Sequence, residues 1–367
     1  MNEKRAIVAV CRCCAETIAE DYIRLLELAN CYTGLSEDKK LLIKVNHSHN
    51  KFFPSCSTPP WQLDGVLRWL KDKGICAENI LVGENRTLIS NLTRVRRSHL
   101  WNNVVEHYGV KFCEFPKTYW SRLDVDTTHL SMNWNILGGI YVPAVVLGRD
   151  IIHLVPMKVH GHSIITGSMK SAFSIFATYS HCHLVHEHIH EYLVDVLYLQ
   201  KNVLQCQMIG VIDGSICGDG KGPVTLNPVE KNILLASRDL VALDTIAARM
   251  MGINPESIPH IKIAGEQGLG CTDPARIEIR GDRIDNMCFG FKSRKNIVIF
   301  TDQLLRKNMG KRIQSLIFET VIARMAILAS IIYHNCVWYY FVAVRQIRVF
   351  HRNQWGKCFR QYRTRDK

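Results

Sequence analysis

Short apolar runs alternate with amphipathic stretches along most of the chain. Ala6–Val10, Leu41–Val45, Ile80–Gly83, Val110–Phe115 and Ile151–Val155 are brief and mostly apolar, the pattern of strands buried on both faces. Met208–Ile212, Ile233–Ala236 and Ile277–Arg280 continue the series. Between them lie helical patterns: Thr17–Ala29, a segment opened by Pro59-Pro60 and closed by Gly74, Asn91–Tyr108 ahead of Gly109, and Arg238–Met251. This alternation predicts an α/β fold with a mostly parallel sheet, helices on both faces and right-handed crossovers. The expected body is residues 1–291, in two lobes with a boundary near 200–206. Thr118–Gly139 has little periodicity and reads as a long connection over the ligand crevice.

The candidate chemistry centres on Ile151–Lys170. Its apolar run should end at Pro156, which cannot donate to the next rung of a ladder. Lys158, His160, His162, Ser163, Thr166, Gly167, Ser168 and Lys170 then crowd the passage from strand to helix. Cations, hydroxyls and the amides of a helix start suit an anionic ligand, and ligands of open parallel sheets bind beyond the strand ends. A basic, solvated loop is the plainer reading of the same residues. Leu41–Val45 likewise runs into polar Asn46–Lys51, and Met208–Ile212 reaches Asp213. Gly218, Gly220 and Gly222 follow, where alternate glycines let amides curl toward an anion or simply form a turn. Asp239 suits a helix cap, whereas Asp244 sits among apolar residues and needs a buried partner.

His181, His183, His186, His188 and His190 form a dense cluster. His186-Glu187-His188-Ile189-His190 satisfies H-E-x-x-H, which on a helix sets two imidazoles on one face. No spaced Gly-x-x-His extends it to the longer metalloprotease form. His186 and His190 remain candidate ligands for a divalent metal, against a polar helix start facing water.

Charge changes the picture once it is located. The chain carries a formal charge of +13, yet from Lys292 onward there are 16 Lys and Arg against 3 Asp and Glu, leaving 30 of each sign before it. The body is neutral, so nucleic-acid binding by it is unsupported. The tail, 292–367, includes the uncharged stretch Met325–Val344, about the length of a membrane span. His334-Asn335 and Trp338, Tyr339 and Tyr340 inside it argue against spanning, and the arginines beyond it fit a helix on an anionic bilayer surface. Packing on the body, or on a second copy in a homo-oligomer, is the competing expectation. The 14 cysteines without a recognisable secretion signal predict free thiols in a cytoplasmic setting.

VPMKVHGHSIITGSMKSAF, together with LLIKVNHSHNKFFPSCSTPPWQLDGVLRWLKDKG, GVIDGSICGDGKGP and LASRDLVALDTIAARMMGINPESIPHIKIAGEQGLG, resembles the family called domain of unknown function 362 in motif and order. Members of that family sometimes carry iron–sulfur modules, but no C-x2-C-x2-C-x3-C run occurs here. Val45 stands where the family usually has proline. The central motif is also similar to that of lactate racemases, in which a Lys ten residues after a His carries a nickel–pincer cofactor. His160 and Lys170 match that spacing, but Val159 replaces the preceding proline, so the cofactor is not carried over. The resemblance implies an enzyme on a small anionic metabolite, isomerising or racemising it through Lys158, His160, Lys170 and Asp213. Lys44, Asn46, Thr166, Gly167, Gly218, Gly220 and Gly222 would bind the substrate. A membrane-peripheral scaffold that only holds a metabolite is the alternative, and a metal-dependent hydrolase using His186, Glu187 and His190 is a third.

Overall fold

The computed structural model describes residues 5–36, 38–87, 90–177, 182–294 and 332–363, with backbone alone at Cys182 and His183. The chain begins β1 (Ala6–Arg12), α1 (Ile18–Leu28), β2 (Leu41–Lys44), α2 (Pro60–Asp72) and β3 (Ile80–Glu84). It continues through α3 (Leu92–Ser98), α4 (Trp101–His107), β4 (Lys111–Glu114), β5 (Trp120–Leu123), β6 (Ile140–Pro143), β7 (Asp150–His160) and β8 (Ile164–Thr166). Short helices α5 (Ser168–Ser171), α6 (Phe173–Phe176) and α7 (Cys182–Val185) lead to α8 (Ile189–Tyr198). Then come β9 (Met208–Lys221), β10 (Thr225–Ser237), α9 (Leu240–Met251), α10 (Pro259–Glu266) and β11 (Ile277–Gly281). The tail supplies a π-helical segment, Tyr333–Ala343, followed by α11 (Val344–Phe350) and α12 (Gln354–Gln361).

The main sheet has nine strands in the order β11-β1-β10-β9-β7-β2-β3-β4, with β8 paired to β7. β10 is antiparallel to both β1 and β9, and the β7–β8 hairpin is antiparallel; the other pairings are parallel. Because β9 pairs with β7 and β10, one sheet runs across the lobe boundary expected near 200–206. Alternate strand residues feed two cores. Ile151, Val155 and Ile212 pack with α8, α9 and α10, while Ile152, Leu154 and Val211 pack with α1, α2 and the tail.

Three departures from the sequence pattern matter for the site. β7 does not stop at Pro156: it runs eleven residues to His160, every one buried. Pro156 stands opposite Asp213, and the register shifts between Pro156 and Lys158, where an irregular ladder tolerates a missing donor. β9 likewise passes through Asp213 to Lys221, forming a long hairpin with β10. The Asn91–Tyr108 pattern is two helices, broken where Leu100 takes the left-handed conformation at φ 61°.

The connection Thr118–Gly139 includes β5 and docks on α8. Ser131 and Met132 amides and the Trp134 indole donate to Asp195 at 2.7–3.0 Å. The tail also differs from a detachable segment. Phe350, Trp355, Phe359 and Tyr362 are buried in the core on the α1/α2 side, and Trp355 tilts over Trp61 at 5.1 Å. Among the described residues no helix is long and apolar enough to cross a membrane; residues 325–331 of the uncharged stretch lie outside them.

Candidate functional site

Lys44 ends β2 and Glu84 ends β3, so neighbouring parallel strands bring them to one edge. Their side chains meet at 2.6 Å, both buried. Glu84 also accepts from the Ser174 hydroxyl at 3.0 Å and lies 3.4 Å from His47 Nδ1, while His47 Nε2 pairs with Ser90 at 2.8 Å. Burial pushes the Glu84 carboxyl up, but the Lys44 ammonium and His47 outweigh it and hold it at about 2. Ser174 lies four residues beyond Lys170, so this bond also brings the Lys170 segment to the edge that holds Lys44.

Past the last residue paired to β2, β7 extends alone with β9 and β8 to present Lys158 and His160. These two alternate to the same face, about 7 Å apart along the strand. Lys158 is 1% exposed, and its ammonium donates to the Ser48 hydroxyl (2.8 Å) and the Cys56 carbonyl (2.5 Å), both neutral. Burial alone pulls its pKa down to about 8, with only the Cys56 thiol opposing. Gly218 faces it across the ladder; a β-carbon there would come within 2.9 Å of the Lys158 β-carbon.

His160 Nδ1 accepts the amides of His162 (3.2 Å) and Ser163 (3.3 Å). Burial, then the nearby Lys170 ammonium, hold the ring neutral, far below the usual histidine range. With Nδ1 an acceptor, the proton sits on Nε2, which makes His160 a neutral hydrogen-bond donor. Lys170 is half-buried, its ammonium 5.5 Å over the Phe173 ring. Asn46 Oδ1 and the hydroxyls of Thr166 and Ser171 are buried without a protein hydrogen-bond partner.

Other expected site residues have different occupations. The amides at the helix start after Thr166-Gly167 are filled from within: Asp244 accepts Ser168 N (2.7 Å), Ser168 Oγ (2.8 Å) and Met169 N (3.0 Å). A β-carbon at Gly167 would strike that carboxylate at 2.2 Å, so this glycine makes room for Asp244 and not for an external anion. Burial raises Asp244 to about 6 against those donors. Gly218 and Gly220 lie inside β9, and Gly222 follows it with Val159 O 1.9 Å from where its β-carbon would be. They permit close strand packing in place of an amide nest.

Asp213 accepts from Tyr22 OH, Trp61 Nε1, Ser215 N and Ser215 Oγ. Four donors on a buried carboxylate make it an anchor for α1 and α2 and leave it poorly placed as an acid or base. His186 lies in a 3-10 turn and His190 in the first turn of α8, so H-E-x-x-H does not ride one helix. His186 stacks on His162 at 4.4 Å, whereas His190 Nδ1 meets His260 Nδ1 at 2.9 Å. Among the described residues no group of three His, Cys, Asp or Glu is arranged to hold a metal ion. His181 lies outside them, as does the His183 side chain.

Residues 46–58 cover Lys158 like a roof, and the tail lies on that roof. Trp338 packs edge-on to Phe53 (4.9 Å), Tyr339 stacks on His49 (5.7 Å), and Phe359 tilts onto Phe52 at 4.1 Å. Lys51 sits 4.2 Å over the Tyr339 ring. A narrow cleft lies under the same roof, lined by Ser55, Ser57, Trp61, Pro156, Asp213 and Ser215.

The family model for domain of unknown function (DUF362) matches residues 41–249, more than half of the chain and all of this edge from β2 to α9. The chain belongs to that family. No curated protein matches it. The DUF362 segment therefore holds every residue of the Lys44–Glu84 and Lys158–His160 arrangement, while the roof's outer cover comes from the tail beyond it. Sequence reading missed Glu84, His47, Ser48 and Cys56 as site residues. Glu84 was visible as an acidic residue ending an apolar strand. Ser48 and the Cys56 carbonyl act through a loop fold that no spacing encodes.

Proposed function

We propose that this DUF362 chain is an enzyme that binds a small carboxylate or phosphate at the carboxyl edge of its sheet and moves a proton on it, as in an isomerisation or racemisation. The observation that carries the reading is Lys158: a buried ammonium whose hydrogen-bond partners are both neutral. Taking an ammonium out of water costs several kcal/mol unless charge returns nearby, so the site is poised to accept an anion or to lose a proton. An amine near pKa 8 can take or give a proton close to neutral pH. The Nε2–H of neutral His160 would hold the substrate's oxygen on the same face, and Lys170 would supply the second positive charge. Lys44 is neutralised by Glu84 and shapes the wall. Because Lys158 is covered, substrate entry requires residues 46–58 to lift, exchanging the Ser48 and Cys56 contacts for the ligand.

Mass spectrometry of small molecules released from the native protein tests this reading. The expected result is a carboxylate or phosphate retained by the wild type and lost in Lys158→Met. Retention of no anion, or equal retention by the variant, would contradict it.

A second contact, with an anionic membrane surface, is favoured by the outward face of the tail. Val337, Tyr340, Phe341 and Val349 are exposed there, Phe341 at 80%, while Trp338, Ala343 and Phe350 face inward. Arg345, Arg348 and Arg352 are exposed on the same stretch. Aromatic and apolar groups beside arginines match a headgroup boundary carrying negative charge. Full-length protein should sediment with phosphatidylserine vesicles, less so at high salt and less in Tyr340→Ser/Phe341→Ser. Absence of sedimentation at low salt would dismiss this contact.

A further inference from the structure

The opposite, amino edge of the sheet carries a second feature, separate from the crevice. Arg5 precedes β1, Lys201 follows α8, Arg238 follows β10 and Arg276 precedes β11. Four separate segments thus bring their cations to one open groove of about 770 Å³. Asn30, Thr33 and Thr272 add polar groups to its wall.

The two carboxylates lining the groove are committed to the backbone. Asp239 caps α9 through Val241 N (3.0 Å) and Ala242 N (2.9 Å), and its other oxygen takes Cys271 N at 2.9 Å. Asp273 accepts Ala275 N at 2.9 Å. The acceptors of Lys201 and Arg238 are neutral: the Leu269 carbonyl (3.0 Å) and the Gln207 side chain (2.5 Å). Arg238 therefore keeps its charge for a ligand, while the Lys201 ammonium also lies close enough to the Asp239 carboxylate to stabilise its charge. A β-carbon at Gly270 would strike the Asp239 carboxylate at 2.4 Å, so glycine at this position lets the turn after α10 close against α9 and bring Thr272 to the groove.

Arginine forks match phosphate oxygens with paired donors, and several spread cations fit several anionic groups better than one. We propose that this groove binds a small molecule carrying two or more phosphates. The site is independent of Lys158 and lies at the opposite edge of the sheet.

Calorimetry with inorganic tripolyphosphate on the full chain, at about physiological ionic strength, tests the assignment. Saturable binding is expected, with affinity weakened about tenfold or more in Arg238→Ala and in Lys201→Ala, the loss of a charge-assisted hydrogen bond. Arg238→Lys should recover part of it, Arg5→Ala should weaken it without changing the melting temperature, and Lys158→Met should bind as wild type does. Citrate should not displace the probe at equal concentration. Absent binding, binding unaffected by Arg238→Ala and Lys201→Ala, binding lost in Lys158→Met, or equal displacement by citrate would each overturn the proposal.

Discussion

At the scale of single residues, two buried lysines separate structural from functional charge. Lys44 has Glu84 at 2.6 Å, and removing one partner of such a pair leaves the other uncompensated. Glu84→Gln should therefore cost about 3 kcal/mol or more in chemical denaturation, and a change near zero would mean that the pair contributes little. Lys158 behaves in the opposite sense. Its pKa falls to about 8 on folding, so the unfolded chain holds more protons between that pH and the ordinary lysine value. The penalty for burying its charge is thus fully present below pH 8 and is relieved as pH rises toward 10.5. Lys158→Met should be more stable than wild type by up to about 3 kcal/mol below pH 8, the gain fading toward pH 10.5. A pH-independent difference would mean that Lys158 is not buried as a charge.

At the scale of elements, the strand and helix pattern was legible because buried parallel strands are short apolar runs. What the pattern hid was continuation. Pro156 and Asp213 both look like strand ends, yet they face each other where the ladder changes register, and both strands go on. That continuation places Lys158 and His160 on a strand face instead of a loop. The Thr166-Gly167 helix start was recognisable, but its anion is Asp244, distant in sequence, so no local spacing reveals that the place is taken. For the histidines, a 3-10 turn at His186 breaks the periodicity that H-E-x-x-H assumes. Of the two expectations for the tail, a membrane surface and packing on the body, its aromatic residues Phe350, Trp355, Phe359 and Tyr362 meet the second by completing a core. Trp355→Ala should therefore cost about 3–5 kcal/mol, as for other large-to-small core changes. Thermal unfolding monitored with that variant checks it, and an unchanged transition would restore the view of the tail as separable.

At the scale of the whole molecule, one sheet separates a crevice at its carboxyl edge, roofed by residues 46–58 and the tail, from a basic groove at its amino edge. Under that roof Lys158 is kept without a counter-charge, which an anionic substrate would provide. A direct measurement is the titration of the Lys158 amine by NMR on lysine-labelled full-length protein. Spectra would be taken alone and with a panel of hydroxy acids, dicarboxylates and phosphate monoesters, and Lys158→Met would assign the signal. The expected result is a pKa near 8 in the free protein, rising toward the ordinary lysine value with one class of anion as negative charge arrives beside the ammonium. A free-protein value already at the ordinary lysine position, or one that no anion moves, would contradict it.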